Sequence, residues 1–285
     1  MSRIKITKNS GIQVPFSPQK LKNSLLRSGG SNQQINQIIH QIEGQLYEGI
    51  STKKIYQLAF DLLKKQSKPF AARYKLKTAI MELGPSGFPF ENYFSKILAH
   101  LGYKVATGQF INGQCVKHEI DVIAEKDKHY YMIECKYHNL LGTACDVKIP
   151  LYIHSRFKDV EATWKQTSGI KNLQHQGWLV TNTKFTEDAI QYGTCAGLKL
   201  TGWNYPITDN LNQIIDRTGL YPITCMTSLT KYEKQQLLTK KIVLCKEIIS
   251  NSTLLKNINI SATRFAKIQE EAAHLSSGYS GTYSI

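Results

Sequence analysis

The sequence predicts an α/β protein in which a sheet-containing domain lies between two mainly helical blocks. Residues 86–205 alternate short apolar strands with helical stretches. The segments on either side carry their apolar residues at helical spacing. Gly84-Pro85, followed by Ser86-Gly87, interrupts the chain where its character changes. These observations divide the chain into blocks 1–85, 86–205 and 206–285.

The first block opens with a hairpin signal. Ile4 and Ile6, then Val14 and Phe16, flank a turn at Asn9-Ser10-Gly11. Ser17-Pro18 starts a helix, with serine as cap and proline at the first helical position. Ser31 with Gln34 forms a capping box ahead of the stripe Ile35, Ile38, Ile39, Ile42 and Leu46. A third helix follows Ser51, and a fourth runs from about Ala71 to Ile80.

The central block opens with a helix over about 88–101. Strands are expected at Tyr103–Phe110, Lys117–Ala124 and Tyr130–Lys136. A helical region around 153–173, a strand at Gly177–Thr181, a helix at 185–195 and a strand at Leu198–Gly202 complete it. Residues 206–285 read as helical, with a frayed tail SSGYSGTYSI.

An apolar fraction of 41% in 285 residues suffices for a buried core and excludes a disordered or collagen-like chain. No eighteen-residue apolar run predicts a membrane span, and the N-terminus has no secretory h-region. The six cysteines are widely spaced, without CxxC, and read as reduced, mostly buried thiols of a cytoplasmic protein. The net charge of +15 favours a polyanionic partner, with a plain solvated basic surface as the alternative.

The sharpest chemical signal is His118-Glu119-Ile120-Asp121 followed by Glu134-Cys135-Lys136. A polar turn, Glu125-Lys126-Asp127-Lys128, joins the two segments. Period-2 alternation sets Glu134 and Lys136 on one strand face, and a turn about Lys126-Asp127 brings Asp121 within about a residue of Glu134. Two carboxylates can hold Mg²⁺, a hard cation that keeps several waters. Such an ion polarises a phosphoryl oxygen and acidifies bound water, while an ammonium stabilises developing charge. The alternative is a salt-bridge cluster on an edge hairpin.

These segments resemble the PD-(D/E)XK nuclease domain of the Mrr-like restriction endonuclease family. GFPFE at 87–91 resembles the opening helix, HEIDVIA and YYMIECK the two active-site strands, and LVTN with Phe185, Thr186, Ala189 and Tyr192 the strand and helix that follow. The resemblance covers 86–205 and implies a restriction-endonuclease-like mixed sheet flanked by helices. It also implies Asp121 and Glu134 as ligands to Mg²⁺ or Mn²⁺, Lys136 as the catalytic lysine, and Glu91 as a helix carboxylate completing the metal site. Glu91 alternatively serves the helix dipole. His118 reads as a structural strand histidine, with a phosphate contact as the alternative.

Ile6-Thr7-Lys8-Asn9-Ser10-Gly11, Phe16, Lys20-Leu21 and Ser24-Leu25, with Ala71-Ala72-Arg73-Tyr74, resemble an ATP-cone, a regulatory nucleotide-binding domain. The resemblance implies ATP or dATP as a sensed ligand, with Lys8 and Lys20 on its phosphates. No Walker P-loop occurs. A small helical adaptor is the alternative. Residues 226–275 resemble a tandem helix-hairpin-helix, with Lys241 and Asn259 where the usual glycines stand. Asparagine tolerates the left-handed conformation better than lysine, so the second hairpin reads as the better phosphate binder; a plain helical bundle is the alternative. Trp164, Trp178 and Trp203 read as core or interface aromatics. Lys148, Arg156, Lys158 and Lys165 read as either a DNA channel or a solvated helix face.

Together these resemblances imply a Mg²⁺-dependent DNA endonuclease gated by an adenine nucleotide, assembled as a homo-oligomer and serving restriction or phage defence. A nucleotide-sensing DNA-binding regulator with an inactive core, and an RNA nuclease, are the alternatives.

Overall fold

The computed structural model describes residues 4–8, 10–251, 253–256, 258 and 260–277. The chain forms two compact units: Met1–Ala79 together with Gly219–Ile285, and Ile80–Thr218. This differs from the three consecutive blocks that composition suggests, because the C-terminal helices share a unit with the N-terminal ones.

In the first unit, β1 (Lys5–Thr7) and β2 (Gln13–Pro15) pair antiparallel, with Ile6 opposite Val14. Gly11 takes φ +81° in the turn, and Asn9 lies outside the described residues. Helices α1 (Pro18–Leu26), α2 (Asn32–Glu43) and α3 (Thr52–Gln66) start at the serines expected of them. Ser17, Ser31 and Ser51 accept from the backbone N–H groups of Lys20, Gln34 and Lys54, and Gln34 reaches back to Ser31. Each such cap stabilises its helix by about 1 kcal/mol. The apolar stripes meet in a core around Leu25, Ile35, Ile38, Ile42 and Leu63. The expected fourth helix is two pieces, α4 (Lys68–Tyr74) and α5 (Leu76–Met81), parted at Lys75.

The second unit begins with α6 (Phe88–His100), whose Phe90, Tyr93, Phe94 and Ile97 are fully buried. Next come β3 (Lys104–Asn112), β4 (Lys117–Lys126), β5 (His129–Lys136), β6 (Ala144–Cys145) and α7 (Lys148–Trp164). Then follow β7 (Gln174–Thr181), β8 (Lys184–Phe185), α8 (Glu187–Cys195), β9 (Lys199–Thr201) and α9 (Leu211–Thr218). The sheet order is β3-β4-β5-β7-β9. β3, β4 and β5 run antiparallel, and β5, β7 and β9 run parallel. This is the mixed α/β sheet expected from the sequence, with α7 and α8 as the crossovers parallel pairing requires.

Helix α7 starts five residues before the expected 153, because Pro150 sits in its first turn, where a missing N–H is harmless. It stops at Trp164 rather than 173. The β4–β5 turn falls at Asp127-Lys128, one residue later than expected, with both residues at positive φ (+50° and +63°) as a type I′ hairpin turn requires. The parallel pair β6–β8 has no sequence signal, since two-residue strands carry no period. Helix α9 stays with this unit, burying Leu211, Ile214 and Ile215. Trp164 and Trp178 are core residues as expected, and Trp203 is half-buried. All six cysteines are free thiols, and Cys135, Cys145, Cys225 and Cys245 are buried.

The returning segment carries α10 (Lys231–Thr239), α11 (Cys245–Ser250), α12 (Thr253–Lys256) and α13 (Ala262–Ser276). Helix α13 packs on α11 and on α4, burying Ile268, Ala272 and Leu275. Arg73 donates to the His274 carbonyl at 3.0 Å, and Thr224 Oγ1 to the Ala79 carbonyl at 2.6 Å. These contacts tie the two ends of the chain together. Lys241, between α10 and α11, takes φ +61° despite the expectation that lysine resists it. The favoured Asn259 lies outside the described residues.

Glu271 is buried and accepts four hydrogen bonds: from Thr227 N (2.7 Å), Thr227 Oγ1 (2.8 Å), Ser228 N (2.8 Å) and Ser228 Oγ. Glu271→Ala would leave those donors without their acceptor. It should lower stability by about 3 kcal/mol, read as a fall in chemical-denaturation midpoint. A change within a few tenths of a kcal/mol would mean that water replaces the carboxylate.

Candidate active site

The β4–β5 ladder runs from Lys126↔His129 to Val122↔Ile133, so the next position sets Asp121 opposite Glu134. Asp121 itself is missing from the ladder on both sides: it pairs with neither Glu134 nor Gly108, and Gly108 takes φ +59°. Instead, Asp121 Oδ2 accepts the Cys135 backbone N–H at 2.7 Å. A side chain thus replaces a ladder bond, turning Asp121 toward the end of β5. Glu91 comes from the first turn of α6, and a Cβ added at Gly87 would stand 3.0 Å from its Oε1.

Glu91, Asp121 and Glu134 form one electrostatic cluster. Burial, then the charges of Asp121 and Glu119, push the Glu91 carboxyl up to about 7. Burial and Asp121 push Glu134 up to about 8, against the opposing pull of Arg156. Asp121 is also raised, chiefly by burial, while the Cys135 N–H and Arg156 act the other way. Such groups take up protons as a set. The Cys135 thiol, buried beside all three carboxylates, is held well above its usual range.

The cation that serves this cluster is Arg156 of α7, which the sequence leaves undecided between a DNA channel and a solvated face. Its Nη1 lies 2.8 Å from Glu134 Oε1, with 14% and 9% of the two side chains exposed. The contact is single-pronged, and Oε1 is buried. Nη2 donates to the Glu119 carbonyl. Lys136 lies two residues beyond Glu134 on β5, but its side chain is exposed and its charge acts on His138 and Cys145. Lys158 and Lys165 both pair with Glu161, which is a helix-face arrangement. His118 binds Asp159 at 2.7 Å, and Asp159 also accepts from the backbone of Cys115 and Val116. This is the structural role expected of His118.

Among the described residues, no three His, Cys, Asp or Glu side chains gather tightly enough to hold a metal ion. Two carboxylates with waters are sufficient for Mg²⁺ or Mn²⁺, and the buried Glu134 carboxylate within an acidic cluster fits a hard cation.

The raised carboxyls set a pH dependence. Between the unfolded carboxyl range near 4–5 and the folded values of about 7 and 8, the native state binds more protons than the unfolded chain. Stability is therefore greatest below that window and falls as pH rises through it, by about 1 kcal/mol per pH unit per group. Glu134→Gln should flatten the fall in a series of melts from pH about 5 to 8. An unchanged slope would show that Glu134 is ionised throughout.

The first unit holds a separate cavity of about 480 Å³, lined by Lys8, Lys20, Ser24, Thr52, Tyr56 and Tyr74, among others. Tyr56 and Tyr74 stack with centroids 5.0 Å apart and planes 14° from parallel. Burial raises the Tyr74 phenol, so it stays protonated. Both lysines expected at the phosphates thus line one cavity. Tyr56 carries no such signal in the sequence, since its place beside the α3 stripe reads as core.

An uncharacterized protein of Archaeoglobus fulgidus is 36% identical over 179 residues, which span 62% of this chain and 97% of that protein. The chain belongs to the AF1548-like family. Residues 221–276 match the AF1548-like C-terminal domain. The crystal structure of AF1548, a protein of unknown function, is similar with a TM-score of 0.55 at 34% identity, covering 68% of this chain and all of that one. Residues 4–79 match the ATP cone domain, so this AF1548-like protein carries a nucleotide-binding regulatory module at its N-terminus. No helix among the described residues is long and apolar enough to cross a membrane.

Proposed function

We propose that this chain is a Mg²⁺- or Mn²⁺-dependent DNA endonuclease whose activity is set by ATP or dATP on its ATP cone. The observation that supports the reading is the mutual electrostatic influence of Glu91, Asp121 and Glu134, with Asp121 next to the last paired residues of the β4–β5 ladder and bonded to the Cys135 N–H. Asp121 and Glu134 would hold the metal together with waters, and Glu91 would act beside them rather than as a third ligand. The bound ion would supply Lewis-acid activation of a phosphoryl oxygen and of water. Glu91, half-buried beside the cluster, would take a proton from an attacking water. Lys136, exposed at the end of β5, would neutralise phosphate charge. The +15 net charge supports a polyanionic substrate. The turn between α10 and α11 takes a left-handed backbone at Lys241, which would suit backbone contact with phosphate.

In the ATP cone, Lys8 and Lys20 would meet the triphosphate, with Tyr56 and Tyr74 as an aromatic surface for the base. Binding would change the cleavage rate or the assembly size. Restriction or phage defence is the biological setting this reading favours.

A nucleotide-sensing DNA-binding regulator is the second reading, favoured by the Arg156 guanidinium on Glu134 and by the exposure of Lys136. Incubating the full chain with plasmid DNA and Mg²⁺, with and without ATP or dATP, tests both. Nicking or linearisation that changes with nucleotide is expected. Intact plasmid at all nucleotide levels, with retained duplex binding, would favour the regulator. Cleavage of RNA but not plasmid would replace DNA as the substrate.

A further inference from the structure

We propose that Arg156 is the resident counter-cation of the carboxylate cluster, and that a divalent ion gains Glu134 only by displacing it. The inference rests on the metal-dependent reading above. Arg156 and Glu134 meet through one nitrogen–oxygen contact of 2.8 Å, Nη1 to Oε1, while Nη2 is taken by the Glu119 carbonyl. The pair is therefore held by charge rather than by the two-pronged fit that makes arginine–carboxylate pairs durable. A dication and a guanidinium cannot both sit on one carboxylate oxygen without strong repulsion.

Arg156 also has other places to rest. One nitrogen bonds the Glu119 carbonyl, and the guanidinium carbon lies 5.5 Å from the centre of the Tyr152 ring, one helical turn away. Tyr152 is 61% exposed, so a guanidinium drawn toward that ring moves outward from the cluster. The helix beneath need not move: Ile153, Phe157 and Val160 fix α7 in the core. Release thus asks only for rotation of one side chain. The displaced fork has the geometry to meet a phosphodiester, which Lys136 alone does not provide.

The test is calorimetric titration of Mn²⁺ alone, without nucleic acid, into the full chain and two variants. Arg156→Gln removes the competing charge and should bind Mn²⁺ about tenfold tighter or more. Arg156→Lys keeps the charge and should stay close to wild type. Thermal melts establish that each variant is folded, and Arg156→Met, which keeps the apolar stem, replaces the glutamine variant if that one fails to fold. Equal or weaker Mn²⁺ binding by the folded neutral variant, with wild type binding Mn²⁺, would overturn the counter-cation role and leave the metal reading standing. Absence of Mn²⁺ binding in every protein at millimolar metal would overturn both.

Discussion

Asp121→Asn and Glu134→Gln should each lower Mg²⁺-dependent plasmid cleavage by about a thousandfold, with duplex binding and cooperative unfolding retained. The size of the effect follows from where the two groups stand. Asp121 has left the strand ladder and is held by the Cys135 N–H, and Glu134 is buried opposite it. The amides keep shape and volume, so what is lost is charge. Phosphate contacts made elsewhere on a basic surface are untouched. Lys136→Met should also stop cleavage but leave Mn²⁺ binding in place, since its charge acts away from the carboxylates. An Asp121→Asn protein that cuts at the wild-type rate would remove the site.

Neutralising Lys8 and Lys20 together should weaken ATP and dATP binding by about a hundredfold, roughly tenfold for each ammonium taken from the phosphates. Both side chains are exposed at the same cavity, so their removal disturbs no core packing. At a fixed subsaturating nucleotide level the regulatory effect on cleavage should fall in step, because only the nucleotide-bound fraction exerts it. Calorimetry on the full chain reads the binding, and plasmid nicking reads the effect. Unchanged nucleotide affinity in the double variant would move the phosphates elsewhere. Loss of binding with regulation intact would separate the ATP cone from the control of cleavage.

The legible parts of this protein are those encoded by local pattern. Ser17, Ser31 and Ser51 announce their helices because a cap depends on residues within one turn. The strands β4 and β5 and the Asp121–Glu134 opposition follow from period-2 alternation and one short turn. Lys8 and Lys20 fall together in the ATP cone, as the motif implies. What the sequence hides is long-range. Arg156 lies 22 residues after Glu134 on a helix with lysines that do nothing comparable, and only the packing of α7 brings it to the cluster. The partnership of α13 with α4 is hidden for the same reason: an amphipathic stripe shows that a helix needs a partner, not which one. Lys241 in the left-handed region runs against residue preference, so tertiary contacts decided it.

The first unit is assembled from the two ends of the chain, and this sets the order in which the protein can mature. Synthesis releases residues 1–79 first, when α4 still lacks the surface that α13 will cover. The unit 80–218 then emerges whole and can complete its sheet while the C-terminal helices are still being made. Closure of the first unit comes last. The entropy lost in bringing distant segments together grows only logarithmically with the intervening length, and a folded insert shortens the effective loop further. Completion of the first unit therefore awaits α13, and a ribosome that stalls before it leaves the 80–218 unit whole and the first unit unfinished.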